Sequence, residues 1–85
     1  MKYEIKYDPK AIKQLEKLEK EIAKRIVKKL DEISETGRGI ESIKQKRFGY
    51  KIRVGKYRVL IDLEFNPNII TVMYIDSRDR VYERV

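Results

Sequence analysis

Between Lys44 and Arg58 the chain carries seven cations, Lys44, Lys46, Arg47, Lys51, Arg53, Lys56 and Arg58, and no acid. Inside this stretch Phe48, Tyr50, Ile52 and Val54 alternate with Gly49, Lys51 and Arg53, the period of a half-buried strand, so Lys51 and Arg53 share its polar face. Gly55 and Lys56 make a two-residue connection with glycine first, as a type II′ turn prefers. That loop predicts Val54 opposite Tyr57, Arg53 directly opposite Arg58, and Lys51 opposite Leu60. Two like charges facing each other across strands weaken the pairing, and folding alone gives no reason for them. An anion lying over the sheet does, although arginines so placed can also simply point into water.

The tail Ile75-Asp-Ser-Arg-Asp-Arg-Val-Tyr82 adds to this group. If Phe65 pairs with Ile69 around Asn66-Pro67-Asn68, Arg58 lies opposite Asp76 and Arg78 leaves the sheet just beyond it. Three arginines and a lysine then converge with Tyr82 nearby, while Tyr82 reads equally well as a packing aromatic. These residue types suffice for cleaving RNA without a metal, because the attacking group is the RNA's own 2′-hydroxyl. The protein need only take a proton, stabilise a crowded phosphorane and assist the leaving oxygen. Arginine forks match phosphate geometry and stay charged at any cellular pH. A tyrosine with a pKa of about 10 is a weak base alone, but neighbouring cations favour its phenolate.

Composition narrows the alternatives. With no Cys and no His among 85 residues, disulfides, thiolate zinc sites, thiol nucleophiles and the usual general base are all excluded. Asp62 and Glu64 alternate on one strand face as the carboxylates of a metal nuclease do, but a third acid and a lysine at useful spacing are missing, so metal catalysis fits poorly and no metal or other cofactor is expected. The net charge is +7 and 41% of residues are charged, which points to a polyanionic partner. No apolar run approaches the roughly 18 residues of a membrane span, and Met1 to Asp8 alternates rather than resembling a signal peptide. A cytoplasmic protein with no membrane association is the expectation.

Eighty-five residues leave room for one domain, expected to span 1–85. Residues 2–7 alternate as a strand; Asp8 is a good N-cap and Pro9 a good first helical residue. Ala11, Ile12, Leu15, Leu18, Ile22, Ile26, Leu30 and Ile33 then recur at spacings of three and four, one apolar stripe among Lys and Glu that read as a solvated face. As one rod, residues 9–34 would run about 39 Å, too long for a domain of this size, so a bend is expected near Glu19 to Glu21, giving either one bent helix or a helical hairpin. Thr36-Gly37-Arg38-Gly39 closes the helical part, and a loop containing Ile40 and Ile43 follows. Strands over 48–54, 57–65 and 69–75 form an antiparallel meander in which Val59, Ile61, Leu63 and Phe65 share one face. With the first strand beside them and the helices laid on one face, the fold class is α+β: a helix or helical hairpin packed on a mostly antiparallel four-stranded sheet.

Phe48-Gly-Tyr-Lys-Ile-Arg-Val-Gly-Lys-Tyr-Arg-Val-Leu-Ile61 and the closing Ile75 to Tyr82, behind a short strand and a Leu- and Lys-rich helical region, resemble the RelE/ParE toxin superfamily nearly end to end. The hairpin with Tyr50-Lys51-Ile52-Arg53 and Tyr57-Arg58 is the specific part. The resemblance implies a RelE-like toxin of a type II toxin-antitoxin system, a ribosome-dependent messenger RNA endonuclease acting in the decoding site. It implies that Lys51 and Arg53 engage the RNA backbone and act in the acid/base steps, that Arg58 and Arg78 stabilise the transition-state phosphate, and that Tyr82 activates the 2′-hydroxyl or stacks on a base. Lys44, Lys46, Arg47, Lys56 and Arg80 are expected to bind RNA around them, Arg80 replacing Arg78 if the tail is shifted. The chain departs from some relatives in stopping at Val85, where a terminal helix would carry or support the tyrosine. A RelB-like antitoxin wrapping the toxin in a hetero-oligomer is implied as partner, besides ribosome and mRNA. The alternatives are a ParE-like toxin that poisons DNA gyrase by binding, and a basic nucleic-acid-binding module without catalysis.

Overall fold

A computed structural model describes residues 2–43 and 49–77. The chain begins with strand β1 (Glu4–Tyr7) and passes directly into helix α1 (Pro9–Lys17). Asp8 caps that helix, its Oδ1 accepting from Lys10 N at 2.9 Å, with Pro9 at the position where no amide is needed. Helix α2 (Lys20–Thr36) follows after a break at Leu18 and Glu19, both extended. Neither Gly nor Pro causes the break. Leu15, Leu18 and Ile22 all pack against the same core from either side of it, whereas an unbroken rod would exceed the 33 Å length of the molecule. Of the two arrangements open from sequence, the chain thus adopts two helices. Gly37 ends α2 in the left-handed conformation, φ 77°, its amide donating to the Ile33 carbonyl at 2.6 Å.

Among the described residues the sheet has five strands rather than the expected four. Residues Ile40–Ser42, expected in a loop, form the short strand β2, followed by β3 (Tyr50–Val54), β4 (Tyr57–Glu64) and β5 (Ile69–Ser77) in the order β1-β5-β4-β3-β2. All neighbours are antiparallel except β1, which runs parallel to β5. Both helices cover one face. There Ala11, Ile26, Leu30 and Ile33 meet Ile52, Val54, Val59, Ile61, Ile70, Val72 and Ile75, the alternate positions of three strands. Phe65 does not join them: it lies in the turn, 58% exposed, with an edge contact to Tyr3. The opposite face carries no helix among the described residues, and it holds the polar positions of β3 and β4. No helix of the described residues is long and apolar enough to cross a membrane.

One irregularity matters for that second face. Ile61 pairs with Val72 but Leu60 pairs with Tyr74, so Met73 is an extra residue on β5, a β-bulge. Period-two alternation would continue from Ile70 and Val72 to bury residue 74. The extra residue reverses it, placing Ile75 in the core and Tyr74 on the helix-free face. The amide of Ile75 finds its acceptor outside the sheet, in Gln14 Oε1 of α1 at 2.7 Å.

Candidate nucleic-acid interface

The β3–β4 hairpin forms as the residue pattern predicts. Val54 pairs with Tyr57, Arg53 with Arg58 and Lys51 with Leu60, and Gly55 takes a positive φ of 58° that a two-residue turn needs at its first position. Arg53 and Arg58 therefore stand side by side on the helix-free face, with Lys51 two residues back. Between them and the turn lies a small pocket of about 40 Å³, lined by Arg53, Gly55, Lys56, Tyr57 and Arg58. That is room for a few waters or the oxygens of one phosphate.

Arg58 is only 8% exposed, on the face that carries no helix among the described residues. Register sets it between Arg53 on one side and Asp76 on the other, so the backbone brings a cation and an acid to adjacent positions. The Arg58–Asp76 juxtaposition expected from sequence is present, but not by the expected route. Glu64, not Phe65, pairs with Ile69, and the bulge at Met73 then advances β5 by one residue to bring Asp76 opposite Arg58.

Two cross-strand rows result. One contains Arg53, Arg58 and Asp76; the other contains Glu41, Lys51, Leu60 and Tyr74 across β2, β3, β4 and β5. Sequence reasoning missed both ends of the second row. Glu41 reaches Arg53, Oε2 to Nε 3.5 Å, so the cationic end of the face is not free of acids. The only trace of Glu41's place is the alternation of Ile40 and Ser42 around it, too short to identify a strand. Tyr74 was displaced from view by the bulge.

Along β4 the face changes character: Arg58, then Leu60, then exposed Asp62 and Glu64. Asp62 and Glu64 pair with Thr71 and Ile69 on β5, and among the described residues no group of three or more Asp or Glu is placed to hold a metal ion. Of the cations singled out from sequence, Lys51, Arg53, Lys56 and Arg58 are gathered at one end of one face. Lys44, Lys46, Arg47, Arg78, Arg80 and Tyr82 lie outside the described residues. Electrostatically the gathered end can hold a phosphodiester: two forked donors side by side, a lysine beside them, and a boundary of carboxylates further along the strand.

Residues 5–82 match the protein family described as the ParE toxin of type II toxin-antitoxin systems, parDE. Among solved structures, a chain of the toxin-antitoxin complex RelBE2 from Mycobacterium tuberculosis is similar, with TM-score 0.80 and 22% identity over 92% of this chain and 93% of that one. A chain of the archaeal RelE-RelB complex from Pyrococcus horikoshii OT3 gives 0.77 and 21% over 94% and 99%. A chain of the RelB-RelE antitoxin-toxin complex from Methanococcus jannaschii gives 0.69 and 26% over 94% and 98%. No curated protein sequence matches the chain.

Proposed function

The chain belongs to the ParE toxin family of type II toxin-antitoxin systems, within the RelE/ParE superfamily, and from that premise we propose that it is a RelE-like toxin, a metal-independent endoribonuclease cutting mRNA on the ribosome. The observation that carries the reading is the direct opposition of Arg53 and Arg58 on the helix-free face, with Lys51 beside them. Cross-strand arginines concentrate positive charge, which Glu41 offsets in part at Arg53, and forked donors so placed suit a bound phosphate.

In the proposed reaction the RNA lies across the strands with its scissile phosphate over Arg53 and Arg58. The 2′-hydroxyl loses its proton to Tyr82, acting as phenolate, and its oxygen attacks the adjacent phosphorus. Arg58 and Arg78 hold the two non-bridging oxygens as negative charge builds in the phosphorane. Lys51 and Arg53 bind the backbone, and Lys51 delivers a proton to the departing 5′-oxygen. The products are a 2′,3′-cyclic phosphate and a 5′-hydroxyl, with every proton accounted for and no metal required. Lys44, Lys46, Arg47, Lys56 and Arg80 extend the contact with the RNA backbone. The toxin acts in the cytoplasm as one domain over 1–85, and a RelB-like antitoxin holds it silent in a hetero-oligomer, as the complexes of its structural relatives suggest.

Primer extension on an mRNA incubated with the protein, with and without ribosomes, tests this. Cuts that appear only with ribosomes and vanish in Arg58→Ala are the expected result; a folded wild type that makes none refutes it. The second reading, a ParE-like toxin that inhibits gyrase by binding, is favoured by the family that matches residues 5–82. It predicts loss of supercoiling by purified gyrase and no mRNA cuts.

A further inference from the structure

Tyr74, at the β5 end of its cross-strand row, owes its place on this face to the bulge at Met73. A regular β5 would have placed it under the helices; the extra residue Met73 turns it to the face of Lys51, Arg53 and Arg58 instead. At the bulge the Ile75 amide donates outside the sheet, to Gln14 of α1. In its new position Tyr74 is half-buried and directly opposite Leu60, which is 5% exposed, lies outside the core shared with the helices, and has Lys51 on its other side. An aromatic ring is thus placed opposite a buried aliphatic side chain, between the cations Lys51, Arg53 and Arg58 and the carboxylates of Asp62 and Glu64, on a face that also holds Thr71 and buried Ile69.

The order along β4 assigns that spot. Arg58 is the phosphate end, and Asp62 and Glu64 beyond Leu60 repel phosphate, so a polyanion is confined to the Arg58 side of the Leu60–Tyr74 row. The two rows are two residues apart, about 6.6 Å at 3.3 Å per residue, comparable with the reach from a phosphate to its own base. Every base has an apolar π-face and no charge, and aromatic side chains next to cationic grooves bind bases by stacking. We propose that Tyr74 is a base-positioning residue, stacking on the nucleotide whose phosphate sits at Arg53 and Arg58. The ligand, RNA, rests on the ribonuclease reading above; the role of Tyr74 extends it by naming what orients the substrate.

The test is a binding comparison that needs no cleavage. Wild type, Tyr74→Phe and Tyr74→Ala are titrated with a single-stranded RNA octamer and with the same octamer made abasic, which keeps the phosphates and removes the π-faces. Stacking on one base predicts that wild type and the Phe variant bind the abasic strand roughly 5- to 150-fold more weakly, while the Ala variant binds both equally. A merely structural tyrosine would lower both affinities together. An Ala variant that retains the wild-type preference for bases overturns the proposal, and so does a folded wild type that binds neither strand. Preference for bases through Tyr74 in a protein that never cuts mRNA would sustain this inference while refuting the nuclease reading. Cutting by the wild type with an unaltered preference in the Ala variant would do the reverse.

Discussion

Glu41 Oε2 lies 3.5 Å from Arg53 Nε, so the outermost strand places an acid against one of the two arginines that face each other on the hairpin. Glu41 also stands opposite Lys51 in register. This carboxylate therefore pairs with Arg53 and competes with any phosphate for it, while its register position sets it beside a second cation of the site.

Replacing Glu41 with Gln removes that competitor at nearly constant shape. Both side chains of the ion pair are about half exposed, so its loss costs stability little, about 0.5 kcal/mol or less. RNA affinity is expected to rise roughly 2- to 5-fold at low salt, the equivalent of about 0.5–1 kcal/mol. Titration with a labelled RNA at two ionic strengths checks this; an unchanged affinity would mean that Arg53 does not contact the RNA.

The Arg53–Arg58 pair predicts a conflict between stability and binding. Arg53→Thr keeps a good strand former and removes the like charge opposite Arg58 together with the half-exposed ion pair to Glu41, the smaller of the two, so the fold is expected to gain roughly 0.5 kcal/mol or less in denaturant melts. RNA affinity should fall at the same time, and the slope of log K against log salt should shrink by about one unit if Arg53 meets a phosphate. A variant that is at least as stable and binds RNA as tightly as wild type would show that Arg53 does not meet the phosphate.

How much of this was legible in the residues differs by element. The hairpin was, to the pairing of single residues, because a two-residue loop leaves no freedom of register once the strands alternate. The helical region was legible as a stripe too long to stay straight, with a bend near Glu19, but the choice between one bent helix and two was not, since the break at Leu18 and Glu19 arises from packing both halves on one sheet and carries no Gly or Pro. The second row of the face was hidden for two reasons. Strand β2 is three residues long and gains its identity from β3, and the bulge at Met73 leaves no mark in composition because the extra residue is an ordinary apolar one. The turn was misread as well. Phe65 looked like a core position by alternation, yet the strand ends at Glu64 and the ring stays outside.

The bulge makes Gln14 a candidate for action at a distance. Its Oε1 is the acceptor for the Ile75 amide, part-buried, and the contact ties α1 to the point where β5 changes face. Gln14→Ala leaves that amide without its partner, at a cost of about 1–3 kcal/mol, which for a domain of this size lowers Tm by roughly 4–8 °C per kcal/mol. Gln14→Glu keeps an acceptor and should recover most of the loss. Thermal melts of the two variants distinguish a hydrogen bond from simple packing: equal losses would rule out the bond.

Tyr7 supplies a prediction in pH. Its hydroxyl is buried and finds no hydrogen-bond partner among the described residues, and burial first, then the negative charge of Asp31, pushes its pKa above the ordinary 10.0. The folded protein therefore holds this proton more tightly than the unfolded chain does. Stability from the group is complete below pH of about 10 and is lost as pH rises from there through the folded-state pKa. Tyr7→Phe removes both the stranded hydroxyl and its titration. It is expected to raise stability at neutral pH by about 1 kcal/mol, because an unsatisfied polar group leaves the interior, and the gain should widen above pH of about 10. Urea melts of wild type and Tyr7→Phe at pH 7, 9 and 10.5 measure the difference directly. A gap that stays constant across that range would show that Tyr7 ionises as easily folded as unfolded, and a less stable Phe variant at pH 7 would show that the hydroxyl makes a bond worth keeping.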